Sequence, residues 1–231
     1  MNTFSYLFLF AVILNFALSW WLKHRHINHV RNHRGTVPKM FDGEISLQDH
    51  QKAADYTVAK SKLANYHLVY SIIILLVWTL GGGLSYLNQI VSEMGYSSIL
   101  TGVLFMVSFF ILGTIISLPF SLASTFGVEE KFGFNRMTAK LFIIDLIKGI
   151  IVSLIIMIPL FWVILQVMSA AGSLWWIYVW LVVMGFMFLT MWAYPSIIAP
   201  IFNKFKTLSC ISLEALFVKV TAKIAEGFIP W

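Results

Sequence analysis

Four histidines set among arginines and lysines are the side chains in this sequence that most suggest metal chemistry. His24, His26, His29 and His33 follow one another closely, and in a helix the last three would share one face. Imidazole nitrogens are common zinc ligands. However, no Cys, Asp or Glu lies beside them to complete a metal site. The pattern therefore favours a solvated basic segment over a zinc site.

Two further pairs of ionisable residues could act on a substrate or an ion. Glu129 and Glu130 are adjacent, so on a helix or turn their carboxylates point apart, which favours a structural connection over a catalytic pair. Asp145 and Lys148 are three residues apart and share a helix face. An ionisable pair inside a membrane can mark a transport path, but its place near the basic end of an apolar segment favours a boundary ion pair.

The sequence contains none of the common catalytic motifs. H-E-x-x-H, G-x-S-x-G and a Gly-rich phosphate loop are all absent, and the single cysteine, Cys210, has no histidine close by. The longest polar stretch, about 45 residues, is shorter than an ordinary globular catalytic domain. We therefore assign no catalytic and no metal-binding residue, and substrate-binding residues stay unassigned.

Five long apolar segments must position whatever chemistry the chain supports. The chain is 59% hydrophobic and only 11% charged, whereas soluble domains carry about 25% charged residues. Each segment is long enough to cross a bilayer, which takes about 20 residues, and only a helix satisfies its own backbone there. We predict an all-α polytopic membrane protein. The spans are residues 4–22, 68–87, 99–123, 142–167 and 174–194.

The positive charge lies on alternate connections and predicts the orientation. Basic connections face the cytoplasm, so we expect the N-terminus outside and the C-terminus inside. The Lys and Arg residues that give the net charge of +6 then form a basic collar beside the lipid headgroups. No nucleic-acid partner is expected. A cleaved signal peptide is disfavoured because residues 1–22 carry no Lys or Arg. Lys and Arg number eight in 23–67, three in 124–141 and four in 200–231, and none in 88–98 or 168–173.

Local signals predict details of the helices. Ser46 and Asp49 resemble a capping box, so a helix should begin after Ser46, cover residues 47–65 and enter the second span without a break. Gly81, Gly82 and Gly83 allow close packing or a bend in that span. Prolines 119 and 159 should kink the third and fourth spans. A stripe of small residues for packing is formed by Ala53, Ala54, Val58 and Ala59.

Three strings, residues 41–60, 126–135 and 194–205, resemble the N-terminal membrane domain of the CAAX prenyl protease type 1 family of integral-membrane zinc metallopeptidases. Residues 41–60 are similar to the segment that leads into the second helix of bacterial members. Residues 126–135, FGVEEKFGFN, contain EEKFGFN, which is similar to the family pattern E-x-K-x-G-F-N. Residues 194–205, YPSIIAPIFNKF, are similar to the run Y-P-x-x-I-x-P-x-F-N-K-F after the fifth span. Their order and their placement between spans also match.

The resemblance implies a peptidase that cleaves near protein C-termini, at prenylated CAAX ends in eukaryotes. In the family, two His of H-E-x-x-H and a later Glu hold zinc, and these lie beyond the part matched here. We expect residues 1–208 to be the five-helix domain and residues 209–231 to be a truncated start of the peptidase domain. Zinc is expected for the full-length family enzyme and no cofactor for this chain. After Phe205 the usual Pro-Leu pair is replaced by Lys206 and Thr207.

Two hypotheses about function remain open at this point. The chain is the inactive membrane half of a zinc endopeptidase, separated from a catalytic half by truncation, a frameshift or a split gene. Alternatively, it is a non-enzymatic membrane scaffold or partner protein that keeps the fold. A transporter is a weaker third option, because intramembrane charge is scarce. In either main case the bilayer is a partner, peptide or protein C-termini are the family substrates, and a bacterial member would lie in the inner membrane.

Overall fold

The structure, a computed structural model, describes residues 2–41 and 43–202. No β-strand occurs among these residues. Short 3-10 turns occupy Lys39–Phe41 and Gly172–Leu174, and π-helical turns occupy Ala123–Glu129 and Tyr194–Ile198. The α-helices are α1 (Thr3–Asn32), α2 (Leu47–Thr79), α3 (Gly83–Glu93), α4 (Ser98–Leu122), α5 (Ala139–Ala170), α6 (Trp175–Ala193) and α7 (Ala199–Phe202).

Five helical stretches of the described chain are long and apolar enough to cross a membrane, as predicted. Each has between 30 and 33 residues. At about 1.5 Å per residue, such a helix is longer than the hydrocarbon core of about 30 Å, so its ends extend beyond the core. The chain is therefore a multi-pass integral membrane protein. The stretches are Thr3–Asn32, Leu47–Thr79, Ser98–Glu129, Ala139–Ala170 and Gly172–Phe202.

Side-chain caps explain where three of the long helices begin. The Ser46 hydroxyl accepts a hydrogen bond from the backbone N–H of Asp49 at 3.1 Å and donates one to its carboxylate at 2.6 Å. The predicted helix start is confirmed, and α2 then runs unbroken into the apolar stretch. Asn2 and Thr138 cap α1 and α5 through similar side-chain bonds. These caps satisfy backbone donors that a helix leaves free at its N-terminus.

Helix α1 is longer than its apolar stretch. The prediction placed the span at residues 4–22, but the helix continues to Asn32. No Gly or Pro occurs between Asn2 and Arg34, so nothing in the backbone interrupts it. Lys23 and Arg31 therefore lie on a continuous helix rather than on a loop.

The second predicted span is wrong in one respect, because residues 68–87 do not form one helix. Helix α2 ends at Thr79, and the chain turns through Gly81 and Gly82 before α3 begins. Gly82 has a φ of +78°, a left-handed conformation that costs an L-residue about 1–2 kcal/mol. A Cβ at Gly81 would lie 2.7 Å from the backbone carbonyl oxygen of Val77. The glycines therefore separate α2 from α3. A bend at these glycines was one of the two predicted possibilities.

Helix α3 occupies much of what was predicted to be a neutral connection, residues 88–98. It is amphipathic and buries Leu87 and Val91, which are 7% and 2% exposed. Its contacts are with α2 and α4. Because they are four residues apart, Leu87 and Val91 lie on the same face of α3. This is the buried face of the helix.

Helices α2, α4 and α5 pack through aromatic and small side chains. The rings of Trp78 and Phe109 meet edge to face at 5.1 Å. Helix α4 approaches α5 closely, since a Cβ at Gly102 would lie 2.7 Å from Cδ1 of Leu165. Pro119 lies within α4 and the proline at position 159 within α5, and the kinks expected there stay predictions.

The chain divides into two compact units, Met1–Trp176 and Ile177–Trp231. The described part of the second contains most of α6, the π-helical turn after it and α7. The expected start of a peptidase domain, residues 209–231, lies outside the described residues. About half of the large apolar side chains of the described residues are exposed and very few are buried, which suits helices surrounded by lipid. Within the described chain the buried apolar residues are Ile27, Ala54, Leu87, Val91 and Val103.

Candidate functional site

A bidentate ion pair joins the segment after α1 to α2 on the basic side of the first unit. Nε and Nη2 of Arg34 donate to the two carboxylate oxygens of Asp55 at 2.7 and 2.8 Å. Both residues lie outside the predicted spans, residues 4–22 and 68–87. The hydrogen bond from Arg34 holds the pKa of the Asp55 carboxyl below its ordinary value and raises the pKa of Arg34. The side chains are 43% and 47% exposed, so the pair contributes more to geometry than to stability.

Two further hydrogen bonds connect the same segments. Nζ of Lys23 donates to the carbonyl oxygen of Ala64 at 3.0 Å, and Nε2 of His50 lies 3.0 Å from the carbonyl oxygen of His33. With the ion pair, these contacts hold the C-terminal end of α1 against the polar half of α2. The basic collar is therefore an ordered surface.

The histidines of this collar do not assemble a metal site in the described part of the chain. The rings of His29 and His33 lie 4.2 Å apart, and Nδ1 of His33 is 2.8 Å from the carbonyl oxygen of His29. No group of three or more His, Cys, Asp or Glu side chains in the described residues could hold a metal ion. These residues therefore do not fit the zinc that the resemblance implies for the full family enzyme.

The string EEKFGFN at 129–135 ends the α4 helical stretch with a Schellman motif. The N–H of Phe134 donates to the carbonyl oxygen of Glu129 at 2.9 Å, and the N–H of Gly133 to that of Glu130 at 3.0 Å. Gly133 has a φ of +77°, as the C′ position of this motif requires. The Asn135 side chain then bonds the Glu130 carboxylate at 3.3 Å. These contacts support the structural interpretation of both glutamates.

The same motif places two phenylalanines against α2. The ring of Tyr56 meets Phe132 at 5.6 Å and Phe134 at 4.9 Å, both edge to face. We call Tyr56, Phe132 and Phe134 the aromatic clasp. Nζ of Lys52 and of Lys60 each lie 5.5 Å from a clasp ring centroid, a distance at which cation–π attraction operates. Sequence reasoning missed the clasp, although the two phenylalanines flanking Gly133 were a visible signal.

A cleft of about 560 Å³ opens beside the clasp, between α2 and the π-helical turn Ala123–Glu129. We call it the upper cleft. Its polar residues include Lys62, Tyr66, Lys131 and the paired carboxylate of Asp55. Two members of the predicted small-residue stripe, Val58 and Ala59, line it, while Ala54 is buried and Ala53 is exposed.

Asp145 does not line the upper cleft. It lines a cavity of about 260 Å³ together with hydroxyl-bearing residues of α4. Both Asp145 and Lys148 are half-buried, and the expected ion pair between them stays a prediction.

Comparison with known proteins identifies a matching family and several relatives of this chain. Residues 26–204 match the family described as CAAX prenyl protease N-terminal, five membrane helices. A rice protein named CAAX prenyl protease 1 homolog is 34% identical over 85% of this chain and 49% of its own length. The Saccharomyces cerevisiae CAAX prenyl protease 1 is 29% identical over 85% of this chain and 45% of its own.

A solved structure shows the same fold. The crystal structure of S. mikatae Ste24p superposes with a TM-score of 0.81 at 26% identity, covering 90% of this chain and 51% of that one. The chain thus spans about half the length of the relatives that it matches.

Proposed function

This chain belongs to the CAAX prenyl protease family through its N-terminal domain of five membrane helices, and from this premise we propose that it is the membrane scaffold of a zinc metalloendopeptidase. The peptides cleaved would be prenylated CAAX ends of proteins. The observation that carries the proposal is the family match over residues 26–204. The fold shared with Ste24p supports it.

Within this proposal the 231 residues provide a scaffold and not the chemistry. They contain no H-E-x-x-H, and the described part offers no set of metal ligands. Whatever supplies the zinc site lies outside these residues, for example in a separate catalytic half. The division into a five-helix domain, 1–208, and the start of a peptidase domain, 209–231, belongs to the same proposal.

We further propose that the collar faces the cytoplasm and the N-terminus the other side. The asymmetry of Lys and Arg between alternate connections supports this orientation. An inner-membrane location would follow for a bacterial-type member. The relatives named above are eukaryotic, so the bacterial assignment stays a prediction.

The orientation can be tested by cysteine labelling. Cys210, the only cysteine, is first changed to Ser, and one new cysteine is placed at the exposed residue Glu44 or Glu93. A membrane-impermeant maleimide should label Glu93→Cys in intact cells and Glu44→Cys only after permeabilisation. The reverse pattern would refute the proposed orientation.

The scaffold role predicts the behaviour of the purified chain. The 231-residue protein in detergent should bind no stoichiometric zinc and should not hydrolyse a farnesylated peptide ending in a CAAX sequence. Zinc content is measured by elemental analysis and cleavage by mass spectrometry of the peptide. Stoichiometric zinc together with peptide cleavage would overturn the proposal.

A further inference from the structure

A second cleft, smaller than the upper cleft, lies between α2 and the end of α4. Its volume is about 320 Å³. We call it the lower cleft. The polar side chains that line it are Lys60, His67, Ser117, Ser121 and Ser124. Leu63, Ala64 and Phe120 complete the lining.

The lower cleft lies where the membrane surface is expected. His67 immediately precedes the apolar stretch of α2, which begins at residue 68, and Ser124 follows the apolar stretch of α4, which ends at residue 123. Two neighbouring helices thus change from apolar to polar at the same cleft. Lys60 lies seven residues before His67, about 10 Å along α2 towards the polar side. The predicted span bounds therefore place this cleft at the depth expected for lipid headgroups on the basic side of the protein.

The lining chemistry favours an anion. Nζ of Lys60 carries three N–H donors, and it donates one of them to the Tyr56 hydroxyl oxygen at 3.4 Å. The hydroxyls of Ser121 and Ser124 make no hydrogen bond to other described residues, so both can donate to a ligand. No carboxylate is among the described residues that line the cleft. The upper cleft differs because it contains Asp55.

The surrounding contacts hold these donors in place. The His67 ring meets Phe120 edge to face at 4.8 Å, and Lys60 rests over the Tyr56 ring of the aromatic clasp. Ser124 belongs to the π-helical turn Ala123–Glu129, and π-helical turns occur frequently at functional sites.

We propose that the lower cleft binds the phosphate of an anionic phospholipid headgroup. Lys60 supplies the main charge, the imidazole of His67 and the hydroxyls of Ser121 and Ser124 supply hydrogen bonds, and the acyl chains extend into the bilayer along the apolar surface below. Basic pockets between membrane helices recognise anionic headgroups in this way.

Lipid binding to the purified 231-residue protein tests the proposal. Native mass spectrometry compares retention of phosphatidylglycerol with that of phosphatidylcholine. Lys60→Gln should weaken phosphatidylglycerol binding about tenfold, because it removes a charge-assisted hydrogen bond to the phosphate. Lys62→Gln is the matched control, since it removes the same charge two residues away in the upper cleft and should leave binding within about twofold. Equal effects of the two variants would overturn the proposal.

A second variant separates lost binding from lost folding. Ser124→Asp removes no hydrogen bond of the described chain and puts a negative charge inside the cleft. It should abolish the preference for phosphatidylglycerol over phosphatidylcholine while the thermal unfolding temperature stays near that of the wild type. Retained preference in a folded Ser124→Asp protein would contradict the assignment.

A competition arm distinguishes lipid from free phosphate. Excess inorganic phosphate, compared with chloride at equal ionic strength, should leave phosphatidylglycerol bound. If phosphate displaces the lipid and chloride does not, the cleft takes a soluble anion and the lipid proposal is wrong.

Discussion

Gly133 gives the sharpest test of how the connection after α4 is held. Its φ of +77° costs an L-residue such as alanine about 1–2 kcal/mol. Alanine would also lower the conformational entropy of the unfolded chain, which stabilises the folded protein by about 0.4–1 kcal/mol. The space around the residue is not limiting, because a Cβ would meet only Nζ of Lys52, at 3.9 Å. Gly133→Ala should therefore destabilise the protein by about 1 kcal/mol through the backbone alone.

Two variants act as controls for this reasoning. Gly127 lies in the same connection without a positive φ and has open space around its Cβ position, so Gly127→Ala should be neutral or stabilise by about 0.5 kcal/mol. Gly133→Asn should lose less than Gly133→Ala, since asparagine adopts the left-handed conformation more readily.

The assay is thermal unfolding in detergent, followed by circular dichroism. For a chain of this size, about 1 kcal/mol corresponds to a shift of roughly 2–4 °C. If Gly133→Ala unfolds at the same temperature as Gly127→Ala, the Schellman motif does not hold the connection and the reasoning fails.

Three further predictions use the same assay. Gly81→Ala should cost about 1–3 kcal/mol, because its Cβ would clash with a backbone carbonyl 2.7 Å away; Gly35→Ala, with open space around it, is the control and should cost nothing measurable. Tyr70→Phe removes a 3.1 Å hydrogen bond to α4 and should cost about 0.6 kcal/mol, the mean for such bonds between membrane helices; no loss would show that the bond is not formed. Arg34 lowers the folded pKa of Asp55, so the stabilisation from this pair is complete above the unfolded value of 3.8 and is lost as the pH falls through the folded value. Below about pH 4 the wild type should therefore lose stability more steeply than Asp55→Asn, and parallel pH curves would refute this.

Features that depend on local sequence were predictable. The five spans follow from hydropathy over windows of about 20 residues, and the start of α2 follows from the side chain of Ser46 next to a helix-forming run. The structural interpretation of Glu129 and Glu130 also rested on a local argument, the divergence of adjacent side chains. Each of these signals acts within a few turns of the chain.

Features that depend on tertiary contacts were not predictable in the same way. Hydropathy cannot locate the break at Gly82, since α3 beyond it is also partly apolar. The position of the end of α1 against α2 depends on contacts between distant segments, such as the ion pair of Arg34 with Asp55. The aromatic clasp joins Tyr56 to Phe134, which are far apart in sequence. The pattern of apolar residues within each segment does not predict which residues of the two segments will be in contact.

The central claim, that this chain is a competent membrane scaffold of a CAAX prenyl protease, is tested most directly by a chimera. Residues 1–202 of this chain replace the matching half of the rice CAAX prenyl protease 1 homolog, and hydrolysis of a farnesylated CAAX peptide is measured in reconstituted vesicles. The rest of the rice protein by itself is the control. We predict that the chimera cleaves the peptide and the control does not. A folded, membrane-inserted chimera without activity would contradict the claim and favour a non-enzymatic scaffold.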